Sequence, residues 1–175
     1  MLASRLGCEP AAVRLRVRCA VCGSGEHGKP FVEGGPGLSY SHAGDRVVVA
    51  VSGAGGVGVD VENPALIDVD AFDALAVSDV ERSYRRWDRA SRTRSWVRKE
   101  AALKAAGVGL TIAPSEVEVS APDEPPALIR WPLGGEESVA LLDLELDGYP
   151  AAVAVRCVEP QPALPEVTLR RFEAG

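Results

Sequence analysis

An α+β fold is predicted for this chain of 175 residues, because its strand-like and helix-like stretches follow one another in separate blocks. Residues 57–62 alternate β-branched with small or acidic residues, as a strand does. Residues 90–106 are rich in Ala, Leu, Lys and Glu and end before Gly107, which predicts a helix with a glycine cap. Apolar runs at 128–131, 139–146 and 151–158 then predict strands of a second sheet or meander.

The remaining elements are shorter. Residues 13–18 alternate apolar and basic side chains and predict a half-buried strand, and 46–51 predict a short apolar strand. The glycines and prolines of 23–37 predict a loop. Ser78 with Glu81 three residues later is a capping-box pattern, which predicts a helix continuing to about Trp87.

Composition narrows the class of protein. A hydrophobic content of 46% is enough for a packed core in one domain or two small lobes. We see neither a charged and apolar leader nor an apolar run that could span a bilayer, so we expect a cytoplasmic protein without a membrane partner. Four cysteines without a dense framework fit a reducing compartment.

The charge is unevenly distributed. The net charge of −6 argues against nucleic-acid binding, yet residues 81–104 hold nine of the 19 basic residues and three of the 25 acidic ones. Such a basic strip suits a phosphorylated cofactor and an acidic protein partner. An arginine-rich helix that is merely solvated is the alternative. Residues at three- and four-residue steps would share one side of a helix: Arg82, Arg85, Arg86 and Arg89.

A candidate site lies on the strand at 57–62. The period of two places its valines on one face and the residues Gly56, Gly58, Asp60 and Glu62 on the other, which predicts an open acidic shelf. On the helix, Glu100 and Lys104 lie four residues apart and therefore share a face.

These residue types suit a divalent cation that holds a phosphate ester. Mg²⁺ takes carboxylate oxygens together with water and substrate phosphates, so Asp60, Glu62 and Glu100 are candidate metal ligands. Lys99 and Lys104 would meet phosphate oxygens. Alone, either motif is better explained as a solvated strand face or as a surface ion pair worth roughly 0.3–0.5 kcal/mol. Their joint occurrence favours a site.

Four segments resemble one known family. Gly-Val-Asp-Val-Glu at 58–62 and Trp-x-x-Lys-Glu-Ala-x-x-Lys-Ala at 96–105 are similar to the main motifs of the 4'-phosphopantetheinyl transferases. Gly-Lys-Pro at 28–30 and Leu-Ser-Tyr-Ser-His-Ala at 38–43 are similar to two further elements of the Sfp-type branch.

The resemblance implies a function: Mg²⁺-dependent transfer of 4'-phosphopantetheine from coenzyme A to a serine of an acidic acyl or peptidyl carrier protein, with release of 3',5'-ADP. It implies the metal ligands Asp60, Glu62 and Glu100. Together with Lys104, these residues would form the catalytic set. It also implies that coenzyme A is bound by Lys29, Ser41, His42, Lys99 and Lys104.

The resemblance further implies a two-lobed, pseudo-dimeric fold of antiparallel sheets packed with helices. Residues 1–55 would form a shortened N-terminal lobe and residues 56–175 the C-terminal lobe with the metal and transfer residues. Only 27 residues precede the Gly-Lys-Pro element, and Arg14, Arg16 and Arg18 are possible contacts for the 3'-phosphate of the coenzyme. We expect a monomer, with a homo-oligomer left open because a short first lobe could leave an apolar face uncovered.

Two other functions are kept as alternatives. A non-catalytic module that binds coenzyme A or a carrier protein would explain the short N-terminus. A metal-dependent phosphodiesterase would use water in place of the serine.

Cys19, Cys22 and His27 match three positions of a zinc knuckle. The fourth ligand of a structural zinc site is missing, since position 32 is Val and Cys8 would have to fold back. A small buried thiol pair is the favoured interpretation.

Overall fold

The computed structural model describes residues 2–53, 56–84, 87–134, 138–157 and 166–172. Its helices are α1 (Leu2–Leu6), α2 (Val69–Leu75) and α3 (Arg89–Ala106). Its strands are β1 (Arg16–Arg18), β2 (Lys29–Phe31), β3 (Gly37–Ala43), β4 (Arg46–Ser52), β5 (Val57–Val61), β6 (Glu118–Val119), β7 (Leu128–Arg130), β8 (Ser138–Leu146) and β9 (Tyr149–Cys157). Short 3-10 turns lie at Pro10–Ala12, Glu81–Ser83, Gly109–Thr111 and Pro114–Glu116. Among the described helices, none is long and apolar enough to cross a bilayer.

The centre of the molecule is a three-stranded antiparallel sheet with α3 packed across it. The strand order is β5-β9-β8, and the register places Asp60 opposite Ala152 and Ala152 opposite Asp143. The core between helix and sheet consists mainly of small side chains, among them Ala101 of the helix and Ala154 of the sheet. Small residues let the helix backbone come close to the strands.

Local sequence determines where α3 begins and ends. The side chain of Asp88 accepts a hydrogen bond from the Ser91 N–H at 2.8 Å, which caps the first turn. Gly107 at φ 78° closes the last turn in the left-handed conformation, as predicted from the glycine. Both ends of the helix are therefore set by residues that are its neighbours in the sequence, Asp88 and Gly107.

The valine face of the sheet is covered by the β3–β4 hairpin. Val57 and Val59 of β5 pack with Val48 and Ala50 of β4. The Ser39 hydroxyl of β3 accepts the Val59 N–H at 3.1 Å, so β3 also runs beside the edge of β5 that β9 leaves free. Two small antiparallel pairs, β1–β2 and β6–β7, complete the described sheets.

Buried charges anchor α3 on its other sides. The fully buried guanidinium of Arg98 pairs with Asp143 of β8 at 2.6 Å and donates to backbone carbonyls of residues 120–124. Lys99, equally buried, pairs with Glu81 at 2.5 Å. Unpaired charges at these depths would cost several kcal/mol, so each of these residues has a matched partner.

The predicted α+β class, with antiparallel sheets packed with helices, is confirmed. The helix predicted from Ser78 to Trp87 is wrong: the capping-box hydrogen bonds form, but only the 3-10 turn Glu81–Ser83 follows, and Tyr84 is already extended. The predicted loop at 23–37 contains β2, and α2 was not predicted. The division into lobes at residue 55 stays a prediction.

Candidate active site

The site forms where β3, β5 and α3 meet. The Lys104 ammonium lies 2.6 Å from Asp60 Oδ1 and donates to Ser41 Oγ at 3.1 Å. Ser41 Oγ in turn donates to Asp60 Oδ1 at 2.7 Å. Asp60 comes from β5, Lys104 from the last turn of α3 and Ser41 from β3. Three segments distant in sequence are thus joined in one polar contact.

Two further carboxylates lie beside this contact. Glu100 is one turn before Lys104 on α3 and is 9% exposed, while Glu62 follows β5 and is half-buried. Asp60 Oδ2 and Glu100 Oε1 are both buried without a hydrogen-bond partner among the described residues. Buried carboxylate oxygens are normally satisfied, so these two are candidates for binding a ligand outside the protein.

The electrostatics show a deficit of positive charge. Burial, and then the nearby Asp60 carboxylate, raise the pKa of Glu100 to about 7. Burial also raises the pKa of Asp60, although Lys104 opposes the shift, and burial followed by Asp60 raises the pKa of Glu62. Three carboxylates therefore share one lysine, and a cation in their midst would relieve the repulsion.

The three carboxylates are not drawn tightly together. Across the described ranges, the group of three His, Cys, Asp or Glu ligand atoms lying within 4.8 Å of one another is Cys19, Cys22 and His27. The Lys104 ammonium already pairs with Asp60 Oδ1. Gathering them around one ion requires side-chain rotation and a shift of Lys104 toward Ser41 or a ligand.

The predicted open shelf is wrong in one respect. Asp60 is only 3% exposed, and the glycines face α3 instead of a ligand. A Cβ on Gly58 would lie 1.9 Å from the Ala101 carbonyl oxygen, and one on Gly56 would lie 2.6 Å from that of Ala105. The glycines therefore bring the helix close to the strand, and this closeness places Glu100 and Lys104 beside Asp60.

A cavity of about 580 Å³ opens next to the polar contact. Ser41, His42 and Lys104 line it, together with residues of the turn after α3, Gly107–Thr111. His42 is exposed on β3, as a residue that meets a ligand from solution would be. A second cavity of about 570 Å³ shares Lys29, Pro30 and Gly107 with the first.

Lys29 lines both cavities, but its ammonium is already bound. It donates to the carbonyl oxygens of Val57 at 2.7 Å, Lys104 at 2.5 Å and Ala105 at 3.1 Å. Burial, and then the charge of Arg156, lower its pKa to about 8. Lys29 therefore binds the carbonyl end of α3, where a cation is favourable, and its predicted contact with coenzyme A stays a prediction.

The predicted coenzyme contact of Lys99 does not fit the structure. Its side chain is fully buried and donates to Glu81, to the Ala76 carbonyl at 2.5 Å and to the Pro114 carbonyl at 3.0 Å. Lys99 and Glu100 are adjacent, and successive helical residues point about 100° apart, so the two side chains leave α3 in different directions.

The predicted arginine strip lies partly outside the described residues, which exclude Arg85 and Arg86. Arg82 belongs to a 3-10 turn and Arg89 begins α3, so the arginines do not follow one helix. Arg82 donates to the Asp73 carbonyl, and Arg89 donates to that of Ile67.

Two contributors were not predicted from sequence. The hydroxyl of Ser39 holds the backbone of β5, and the turn Gly107–Thr111 lines the cavity. Ser39 lies two residues before Ser41 in the same strand, and this spacing places both side chains on one face. Paired glycines at 107 and 109 were the available signal for the turn.

Carboxylates and a lysine beside a cavity could hold a cation and a phosphate group there. Comparison with known protein families identifies the class of enzyme. Residues 56–154, more than half of the chain, match the 4'-phosphopantetheinyl transferase superfamily, and the chain belongs to that superfamily. The resemblance found in the motifs is thereby confirmed, and the enzyme class is that of a 4'-phosphopantetheinyl transferase.

Two solved structures are similar to part of this chain. The first is holo-[acyl-carrier-protein] synthase of Helicobacter pylori in complex with coenzyme A, at 20% identity and a TM-score of 0.48, covering 57% of this chain and 98% of that one. The second is holo-[acyl-carrier-protein] synthase of Thermotoga maritima, at 24% identity and a TM-score of 0.47, covering 58% of this chain and 62% of that one. No curated protein matches significantly. The Sfp-type branch stays a prediction.

Proposed function

We propose that this transferase moves 4'-phosphopantetheine from coenzyme A to a serine of an acidic acyl or peptidyl carrier protein, with Mg²⁺ bound by Asp60, Glu62 and Glu100. The observation that carries the proposal is the charge deficit: three desolvated carboxylates share the single charge of Lys104 at the edge of a cavity.

The unpartnered oxygens Asp60 Oδ2 and Glu100 Oε1 fit a hard cation, which prefers carboxylate oxygen. When bound, Mg²⁺ neutralises charge on the phosphate oxygens of the substrate. Lys104 is 28% exposed and lines the cavity, so its ammonium can leave Asp60 Oδ1 for a phosphate oxygen. Ser41, which contacts both groups, guides this exchange.

The protein side chains then move one proton and stabilise one leaving group. Glu100, a carboxylate beside Asp60 and Lys104, is suited to accept the proton of the carrier serine. The serine oxygen forms a bond to the β-phosphorus of coenzyme A, and the bond from that phosphorus to the bridging oxygen of 3',5'-ADP breaks. Lys104 stabilises the negative charge that develops on the leaving group.

The two cavities suit an extended ligand. They meet at Lys29, Pro30 and Gly107, and the far cavity is lined by Arg18. An arginine there can receive the 3'-phosphate of the coenzyme, as the sequence suggested for Arg14, Arg16 or Arg18. His42, at the near cavity, can meet another of its phosphates.

The test is to incubate the protein with coenzyme A, Mg²⁺ and an apo-carrier protein, and to weigh the carrier by intact mass spectrometry. A gain equal to phosphopantetheine supports the proposal. Asp60→Asn and Lys104→Met should lower the initial rate by at least about 100-fold. Asp123→Asn, a carboxylate on the exposed surface, is the matched control and should keep the rate.

His42→Ala separates binding from chemistry. A contact with a remote phosphate is made equally in the ground and transition states, so the Michaelis constant for coenzyme A should rise while turnover stays nearly constant. A defect in turnover alone would place His42 at the reacting phosphorus.

Two other outcomes would contradict the proposal. Binding of coenzyme A or of the carrier without a mass gain would indicate a non-catalytic module. Cleavage of coenzyme A without a carrier would indicate a phosphodiesterase.

A further inference from the structure

The loop between β1 and β2 brings three potential metal ligands together. The ligand atoms of Cys19, Cys22 and His27 all lie within 4.8 Å of one another. Cys22 Sγ is 3.4 Å from His27 Nε2. Cys19 is buried whereas Cys22 and His27 are exposed, so the residues do not form the buried thiol pair expected from the sequence.

The spacing of these atoms fits a tetrahedral zinc ion. Bonds of about 2.3 Å to sulfur and 2.0–2.1 Å to nitrogen place tetrahedral ligand atoms about 3.5–3.8 Å apart. The Cys22 sulfur and the His27 Nε2 are 3.4 Å apart, just below this separation. Small side-chain rotations bring Cys19, within 4.8 Å of both, to the same distance.

The backbone of the loop is folded as a thiolate-binding turn. The Cys19 N–H donates to the Ser24 carbonyl at 2.9 Å and the Gly23 N–H donates to the Cys19 carbonyl at 3.0 Å. Gly23 adopts φ +72°, which favours glycine. Backbone N–H groups of Cys22 and Val21 point at the Cys19 sulfur, an arrangement that suits a metal-bound thiolate.

We propose that Cys19, Cys22 and His27 bind a zinc ion, with water at the fourth position, and that this ion fastens the β1–β2 hairpin. Structural zinc sites usually have four protein ligands; this one would instead resemble the open sites, in which three protein ligands and a water complete the tetrahedron. Two thiolates and an imidazole select a thiophilic cation over Mg²⁺.

The position of the loop gives the ion a structural role. A two-stranded hairpin is at best marginally stable alone. This one carries Lys29, whose ammonium holds the carbonyl end of α3. Cys19 directly follows β1 and His27 lies two residues before the start of β2, so an ion bridging them fastens the loop end of the hairpin. Gly28 allows this closure, because a Cβ there would lie 2.3 Å from the Arg18 carbonyl oxygen.

The experiment is to purify the full chain under reducing conditions with zinc in the medium and to measure bound metal by mass spectrometry. Stoichiometric zinc is expected in the wild type. Cys22→Ser and His27→Ala change exposed side chains and should weaken zinc affinity at least about tenfold in competition with a chromogenic chelator. The matched controls are Cys8→Ser, which changes another exposed cysteine, and Asp60→Asn, which changes one of the three carboxylates proposed to bind Mg²⁺. Both variants should retain zinc.

A spectroscopic probe checks the ligand set without using activity. Cobalt(II) in place of zinc should give the sulfur-to-cobalt charge-transfer bands and strong visible bands of a tetrahedral thiolate site, and both should weaken in Cys22→Ser. The proposal is overturned if the reduced wild type binds no zinc, or if zinc binding survives both ligand substitutions. Zinc lost only in Asp60→Asn would place the ion at the carboxylates and would also overturn it.

Discussion

The close packing of α3 against β5 can be tested directly by a substitution at Gly58. A Cβ at this position would lie 1.9 Å from the Ala101 carbonyl oxygen and 2.4 Å from the Ala105 nitrogen, and both atoms belong to the helix backbone. Since real Cβ atoms essentially never come closer than 3.0 Å, Gly58→Ala must separate helix and strand by about 1.1 Å. A rotamer change cannot relieve a clash between backbone atoms.

The series of glycines supplies a graded comparison. At Gly56 the contact of 2.6 Å with the Ala105 oxygen requires a shift of only about 0.4 Å, and a Cβ at Gly53 meets nothing within 4 Å. Overpacking in a core costs about 1–3 kcal/mol and occasionally more. We expect Gly58→Ala to lower the free energy of unfolding by about 3 kcal/mol, Gly56→Ala by about 1 kcal/mol, and Gly53→Ala to lie within about 0.5 kcal/mol of the wild type.

Urea denaturation monitored by tryptophan fluorescence measures these differences, and the carrier mass assay measures their effect on transfer. A displacement of about 1 Å can cost roughly 100-fold in rate, so the folded fraction of Gly58→Ala should transfer about 100-fold more slowly. If Gly58→Ala were as stable as Gly53→Ala and equally active, the close packing of α3 on β5 would not position the site.

Three further predictions concern charged groups. Because the pKa of Glu100 is raised from 4.5 to about 7 on folding, the folded protein holds its proton more tightly, and stability in the presence of chelator should fall as pH rises from about 4.5 through 7. Glu100→Gln should remove up to about 3 kcal/mol of that fall, measured by urea denaturation across pH. Lys99→Met should destabilise the fold by about 3–5 kcal/mol, and Glu81→Gln added to it should recover part of the loss, while the Michaelis constant for coenzyme A stays unchanged. Arg82→Glu with Arg89→Glu should slow capture of an acidic carrier protein, and the wild-type rate should fall with added salt.

Each of these has a control and a contrary result. Glu116→Gln, on the surface, should keep the wild-type pH dependence, and a parallel slope in Glu100→Gln would contradict the raised pKa. If Lys99→Met raised the Michaelis constant for coenzyme A without lowering stability, the result would indicate that Lys99 contacts the coenzyme. Carrier kinetics that are unchanged at every salt concentration in the double arginine variant would leave those arginines as solvated surface.

The class of fold and the helix of the site were predictable because their signals are local. Alternation in β5 and the glycine after α3 depend on neighbouring residues only, and the structure follows them closely. The ion pair of Asp60 with Lys104 was not predicted, since the motifs suggested a metal for Asp60 and phosphate oxygens for Lys104.

Burial was harder to predict, since it depends on what packs from a distance. Gly58 and Asp60 were assigned to one strand face correctly, but the sequence does not state that α3 covers that face. The same holds for Lys99, whose partner Glu81 lies 18 residues earlier in a turn that resembled the start of a helix.

Arg98, Lys99 and Glu100 are consecutive on α3 and have different neighbours. Arg98 pairs with Asp143, Lys99 pairs with Glu81, and Glu100 lies near Asp60 and Glu62. About 100° of rotation separates each from the next. An apolar stripe tolerates small rotations of a helix, whereas the ion pairs of Arg98 and Lys99, which lie on different sides of α3, do not. The helix can therefore pack on the sheet in only one rotational orientation about its own axis. Variation that preserves transfer should change the alanines of α3 together with their neighbours and leave the angular order of these three charges intact.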